Sequence, residues 1–280
     1  MGKKKISYRK KRIFILLLLI ILLYVALRPW GKKTFLLIGM DNYGSLNDTG
    51  RSDVMMAVQL DFTRKKITAV TFARDILLNV DNRDLKINTI VRSKGEEGLV
   101  NALEESFGMS INGWFRLNFS SLVSIIDAVG GVPVQISEQE AKYITHEAGL
   151  YPANPLSEGD CLLNGAQSLS FVRCRKLDND LGRGNRQSRL VSGLVKKSRS
   201  ISISEMISLF REMNHAWRTS LSMPQQIRLL SQVLFLRGAH VERVGIPFEG
   251  MFHYGDSSTG DNGILLYLEK NRSLLHEALK

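Results

Sequence analysis

The sequence predicts an α/β protein: a three-layer αβα-type domain, with a central mixed sheet flanked by helices, behind one N-terminal transmembrane helix. Three observations predict it. β-rich runs open the body at Phe35–Met40, Val54–Asp61 and Lys66–Ala73. Segments of helical spacing then interleave with further strands. An uninterrupted apolar run from Ile13 to Leu27 precedes them all.

The apolar run spans roughly 22 Å as a helix at about 1.5 Å per residue, short of a bilayer core of about 30 Å. Extending it through Trp30, with Arg28 snorkelling to the interface, supplies about one further turn. Tyr24-Val25-Ala26-Leu27-Arg28 lacks the paired small residues of a cleavage site, so the segment reads as a retained anchor. Seven cations precede it, against Arg28, Lys32 and Lys33 just after it. That bias predicts a cytoplasmic tail over 1–12, a membrane helix over 13–30 and an extracellular domain over 34–280.

The second and third strands are joined by a short Thr63-Arg64-Lys65 turn. Glu96–Phe107 carries Leu99, Val100 and Leu103 at helical spacing; Trp114–Phe119 reads as a strand. Ser120–Val129 is a helix stopped by Gly130-Gly131, and Val132–Ile136 a strand. Leu163–Phe171 reads as a short helix and Phe171–Lys176 as a strand. Helices are expected over Arg183–Leu194, Ser204–Ala216, Pro224–Leu236 and Ile264–Leu279, with a strand over Val241–Ile246.

The 280 residues carry a net charge of +11, but Met1 to Lys33 holds ten Lys/Arg and no acid, leaving 28 cations against 27 acids beyond it. The body is near neutral and shows no basic helix-turn-helix surface, so nucleic acid is not the expected partner. Cys161 and Cys174, the two cysteines, make no disulfide framework and read as buried free thiols. Gly39-Met40-Asp41-Asn42-Tyr43-Gly44-Ser45 has phosphate-loop glycine spacing but Ser45 where the lysine belongs, there is no G-x-S-x-G elbow, and the five histidines lack zinc spacing.

What remains is a set of arginines and aspartates at strand ends and in loops. Asp41 follows the first strand; Arg51 and Asp53, two apart, lie on one side of the second; Arg74-Asp75 ends the third. Arg173 and Arg175 are again two apart, and Arg183, Arg186 and Gln187 share one helix face. Arginine forks neutralise a diphosphate bidentately without losing their charge. Carboxylates among them are compatible with that ligand when a hard cation lies between, and Mg²⁺ accepts one or two carboxylates plus phosphate oxygens. The same residue types also make ordinary ion pairs.

Nine segments in order carry a resemblance: Ile38-Gly39-Met40-Asp41, Arg51-Ser52-Asp53-Val54-Met55-Met56, Ala73-Arg74-Asp75, Lys86-Ile87-Asn88, Asn118-Phe119, Val129-Gly130-Gly131-Val132, Leu163-Asn164-Gly165, Phe171-Val172-Arg173-Cys174-Arg175 and Asp180-Leu181-Gly182-Arg183-Gly184-Asn185-Arg186-Gln187. Over residues 34 to 280 the chain resembles the LytR-CpsA-Psr family. The resemblance implies a phosphotransferase that moves a glycan polymer, such as teichoic acid or capsule, from a polyprenyl-diphosphate carrier onto peptidoglycan. It implies that Arg74, Arg173, Arg175, Arg183, Arg186 and Gln187 hold the diphosphate. Asp41 and Asp53 would form the side that binds Mg²⁺ or Mn²⁺, Arg51 would brace them, and Lys86 would line the pocket. Asp75 or Asp41 would take the acceptor's proton, and the Leu122–Val129 helix would help wall an isoprenoid channel. Ala73 departs from the proline usual before the family's Arg-Asp pair. A pyrophosphatase using water as acceptor and a silent binding protein for lipid-linked precursors are the alternatives.

Overall fold

The structure is a computed structural model that describes residues 29–47, 50–147, 155–174, 176–177, 180–258 and 260–280. The expected tail over 1–12, all but Pro29 and Trp30 of the expected membrane helix, and Arg175 lie outside the described residues. Among the described residues no helix is long and apolar enough to cross a membrane.

The chain opens with β1 (Lys32–Met40), β2 (Ser52–Asp61) and β3 (Lys66–Phe72), paired antiparallel in sequence order. A small hairpin, β4 (Leu77–Val80) and β5 (Arg83–Lys86), leads into α1 (Ile87–Phe107) and β6 (Gly113–Leu117). Helix α1 is two helical segments merged across Gly95, whose φ of 72° breaks the helical backbone. Next come α2 (Phe119–Ala128), β7 (Val132–Ile136), α3 (Glu138–Glu147), β8 (Gly159–Leu163), α4 (Gly165–Arg173) and α5 (Asp180–Ser198). The last third holds α6 (Ile203–Met213), β9 (Arg218–Thr219), α7 (Met223–Val233), β10 (His240–Ile246), the hairpin β11 (Phe252–Asp256) and β12 (Asn262–Leu266), and α8 (Leu268–Ala278).

Six strands form one mixed sheet in the order β10-β3-β2-β1-β6-β9. β10 runs parallel to β3 and β6 parallel to β1; the other pairings are antiparallel. Alternate residues of each strand feed opposite faces. Leu36, Ile38, Met55 and Val70 pack with Leu99, Leu103 and Phe107 of α1 and Leu275 of α8. Phe35, Leu60 and Ile67 pack on the other face with Leu236 and Ala239. Helix–sheet–helix layering is thus present, as the sequence predicts.

A separate apolar cluster joins the β7–β8 hairpin to the helices around it through Val132, Val134, Leu163, Ile126, Ile144, Phe171 and Leu190. Close approach here depends on glycine. A Cβ on Gly165 would lie 2.5 Å from the Val123 carbonyl oxygen, and the Gly165 N–H donates to Asp127 Oδ1 at 2.7 Å.

Two sequence expectations are corrected. The strand expected over Phe171–Lys176 gives way to helix at 171–173: a capping box on Asn164 and Gln167 nucleates α4, which runs to Arg173. The last helix begins at Leu268 rather than Ile264, because 262–266 pairs with β11 as a strand. Both cysteines are free as expected, with Cys174 buried and Cys161 half-buried.

Candidate functional site

The third strand ends by delivering Arg74 to a cleft of about 430 Å³ bounded by β2, β3, β10 and the first turns of α5, while Asp75 beside Arg74, and Lys86 beside Asp75, stand outside the cleft's lining. Asp53 reaches its floor from β2 and is 9% exposed. Arg183 Nη2 donates to Asp53 Oδ2 at 3.1 Å, and Arg74 Nη1 lies 3.8 Å from Oδ1. Arg74 Nε stands 3.4 Å from Asp75 Oδ2, and Lys86 Nζ lies 3.9 Å from Asp75 Oδ1. The charges alternate in one chain: Arg183, Asp53, Arg74, Asp75, Lys86. The two pairs at its outer end span 3.4–3.9 Å.

The backbone beneath Arg74 is fixed by hydrogen bonds. The Ala73 N–H donates to the Ile246 carbonyl at 2.8 Å, and the Asn88 N–H donates to the Arg74 carbonyl at 3.3 Å. A proline at 73 has no N–H to give, so this chain holds the strand end by a bond to β10 instead of by a ring. Helix α5 approaches β3 closely enough for Thr71 and Ser188 hydroxyls to bond at 3.0 Å, with Gly184 over Thr71.

A second cavity, of about 140 Å³, lies between β1, β2 and β6 on one side and α2, α4 and α5 on the other. Leu37, Met56, Leu122, Leu169, Val172 and Leu194 are among its lining residues, and Leu122 is the one residue of 122–129 among them. Ile126 of the same helix is buried in the hairpin core, against which Leu122 also packs. Asp53, Arg183 and Gln187 line both the cleft and this cavity. A charged rim therefore opens directly onto an apolar interior.

Arg173, at the end of α4, lines the apolar cavity's mouth. It is exposed; its guanidinium carbon sits 4.4 Å from the Phe119 ring centroid, and Nη1 donates to Tyr43 Oη at 3.4 Å. The Tyr43 loop is tied to the start of α2: Asn118 caps the helix by accepting from the Ser121 N–H at 2.9 Å and donates to the Gly44 carbonyl at 2.7 Å.

The other sequence-predicted residues are placed differently. Arg186 lies inside the protein at 2% exposure and lines neither space. Its Nη2 donates to the Cys174 carbonyl at 2.6 Å, and Nη1 lies 3.7 Å from Glu140 Oε1. Asp41 and Arg51 are exposed, joined through the Asp41 N–H and the Arg51 carbonyl at 3.4 Å, and line neither space. Arg243 and Asn185 line the cleft although the sequence did not single them out. Asn185 lay inside a recognised segment, whereas Arg243 sits in a strand with no motif around it.

No group of three His, Cys, Asp or Glu that could hold a metal exists among the described residues. Mg²⁺ does not require one, since it takes one or two carboxylates and completes its shell with phosphate oxygens and water. The single cleft-floor carboxylate, Asp53, fits an ion that enters with a diphosphate rather than a resident protein cage.

A mixed sheet between helix layers, with an arginine-rimmed cleft that opens into an apolar cavity, defines a class of protein shaped for an amphiphile with an anionic head. The chain belongs to the LytR_cpsA_psr family, whose profile matches residues 24–275. It is 30% identical over 233 residues, 78% of this chain and 69% of the relative, to the polyisoprenyl-teichoic acid–peptidoglycan teichoic acid transferase TagU of Oceanobacillus iheyensis. The match to TagU of Bacillus anthracis spans about half of that relative, 54% of its length. Among solved structures the fold is similar to TagT bound to LIIa-WTA, with a TM-score of 0.72 and 23% identity over 88% of this chain and 89% of the other. It is also similar to the LytR-CPS2A-psr family protein YwtF (TagT) with bound octaprenyl pyrophosphate lipid, with a TM-score of 0.66 and 20% identity over 88% and 90%.

Proposed function

We propose that this protein is a phosphotransferase that moves a glycan polymer from a polyprenyl-diphosphate carrier onto peptidoglycan, at the outer face of a membrane that its N-terminal segment spans. One observation carries the reading: the polar cleft and the apolar cavity share Asp53, Arg183 and Gln187. A diphosphate at that rim places an isoprenoid tail among Leu37, Leu169 and Leu194 and leaves its glycan toward solvent. The printed names of the relatives, and the octaprenyl pyrophosphate bound by TagT, support the same reading.

In this reading Arg74, Arg183 and Gln187 orient the diphosphate from the cleft, and Arg173 approaches it from the cavity mouth. An acceptor hydroxyl attacks the glycan-linked phosphorus, the bond to polyprenyl phosphate breaks, and the product is a phosphodiester. Asp75, held between Arg74 and Lys86 at the open side, takes the hydroxyl's proton. The arginines stabilise charge as it builds on the transferred and leaving groups. Mg²⁺, held by Asp53 when bound, supplies further neutralisation of the phosphate oxygens.

The test incubates purified full-length protein with a polyprenyl-diphosphate-linked saccharide, Mg²⁺ and peptidoglycan fragments, and reads products by mass spectrometry. A phosphodiester adduct formed by wild type and lost in Arg173→Ala is the expected result. Release of lipid phosphate without an adduct identifies a pyrophosphatase, and binding without turnover a silent binding protein.

A further inference from the structure

The cleft does not end at Arg183. A groove of about 480 Å³ continues from it between β10 and the β7–β8 hairpin, and Asn185 and Arg243 line both spaces. Its floor is one stripe of α5: Asn185, Arg189, Ser192 and Lys196 lie at i, i+4, i+7 and i+11. The stripe runs about 16 Å at 1.5 Å per residue. Gly193 lets the helix lie against the hairpin, since a Cβ there would stand 2.5 Å from the Pro133 carbonyl oxygen.

The charges in this groove are unevenly committed. Arg189 is spent on Glu140, with Nη1 to Oε1 at 2.8 Å and Nη2 to Oε2 at 3.0 Å. Arg243 and Lys196 are exposed and have no ion-pair partner among the described residues. Asp160 is the one carboxylate on the lining. Two uncommitted cations, with Asn185, Ser192 and Asp160 available to hydroxyl groups, match the chemistry of a sugar chain that bears negative charge.

We propose that this groove is the subsite for the donor's glycan and that Arg243 and Lys196 select for a polyanionic one, such as a chain of phosphodiesters. The proposal rests on the transferase reading. Its basis is serial order. Apolar cavity, charged rim and polar groove follow one another as tail, diphosphate and glycan do in a lipid-linked polymer.

The experiment compares two octaprenyl-diphosphate donors, one carrying a neutral disaccharide and one the same disaccharide extended by glycerol phosphate units, on full-length protein. The variant is Lys196→Gln, at a groove position that does not also line the diphosphate cleft, with thermal unfolding as the folding control. The expected result is a KM for the extended donor raised about tenfold, the neutral donor changed less than twofold, and the wild-type preference fading with added salt. An equal effect on both donors, no effect on either, or a rise confined to the KM of the peptidoglycan acceptor overturns the proposal. If wild type transfers neither donor, the transferase reading fails. The groove is then judged by titrating soluble polyglycerol phosphate, where weakened binding in the variant supports it and unchanged or absent binding overturns it.

Discussion

Arg183 and Asp53 are joined at 3.1 Å across 130 residues of sequence, and the pair stands where a polar cleft meets an apolar cavity. Both side chains are nearly buried, at 5% and 7% exposure. Breaking a buried ion pair from one side typically costs about 3–5 kcal/mol. Asp53→Ala is therefore expected to lower unfolding stability by that order, with Asp53→Ala/Arg183→Leu recovering part of the loss, as measured by urea titration. A double variant whose loss equals the sum of the singles would show that the two residues are not coupled.

Arg173 and Arg186 separate ligand contact from architecture. Arg173 is exposed and stacks on Phe119, a contact worth about 0.5–1 kcal/mol at an exposed site. Arg173→Ala should keep nearly wild-type stability while lowering transfer at least about a hundredfold. Arg186→Ala should do the reverse in origin. It removes bonds to the Cys174 carbonyl and Glu140 inside the protein and should cost about 3 kcal/mol in calorimetry, with activity falling as the end of α4 loosens.

Replacing Ala73 by proline tests how the strand end is held. The substitution deletes the bond from the Ala73 N–H to the Ile246 carbonyl, and Ile246 is 1% exposed. Stability should drop by about 1–3 kcal/mol. Unchanged or increased stability would mean that the ring's constraint on φ outweighs the bond.

Leu194→Trp fills the apolar cavity from α5. Retention of an octaprenyl diphosphate should fall at least about tenfold, while a diphosphate with a short prenyl tail should bind as before, measured by tryptophan fluorescence or filter binding. Equal loss of both would place the tail elsewhere.

Acid stability should centre on Glu140. Burial raises its carboxyl, but hydrogen bonds from Arg189 and the Ser137 N–H, with the charges of Arg189 and Arg186, outweigh burial and hold it below the ordinary 4.5. A depressed folded-state value contributes stability above the unfolded value, and that contribution is lost as pH falls through the lowered one. Melting temperature should therefore decline below about pH 4.5. In Glu140→Gln it should start lower and decline less steeply over that range.

EDTA treatment is expected to slow transfer and leave the melting temperature of the ligand-free protein unchanged, since Asp53 is already neutralised by Arg183 and Arg74.

Much of the framework was legible in the sequence. β1, β2, β3 and β10 stand out because their β-branched and apolar residues form short runs, and α5 because Arg183, Arg186 and Gln187 repeat at helical spacing. β4, β5 and β11 were missed because they are four or five residues long and partly polar. α3 was missed because its ten residues bury only two apolar side chains, Ala141 and Ile144, too few to show a helical period.

By itself the sequence determined the layered α/β class, the order of the arginine and aspartate segments and the family they resemble, because strand and helix periods and short motifs are local. Only the tertiary structure decided which of those charged groups meet. Arg183 and Arg186 lie three residues apart on one helix, yet one faces Asp53 at the cleft and the other turns to Cys174 and Glu140. The physical reason is that one helix meets several neighbours: α5 packs against β3 and β10 of the sheet and against β7 and α4 beyond it. A guanidinium settles where a carboxylate or carbonyl from a distant segment compensates its burial, and the distance along the chain holds no record of that.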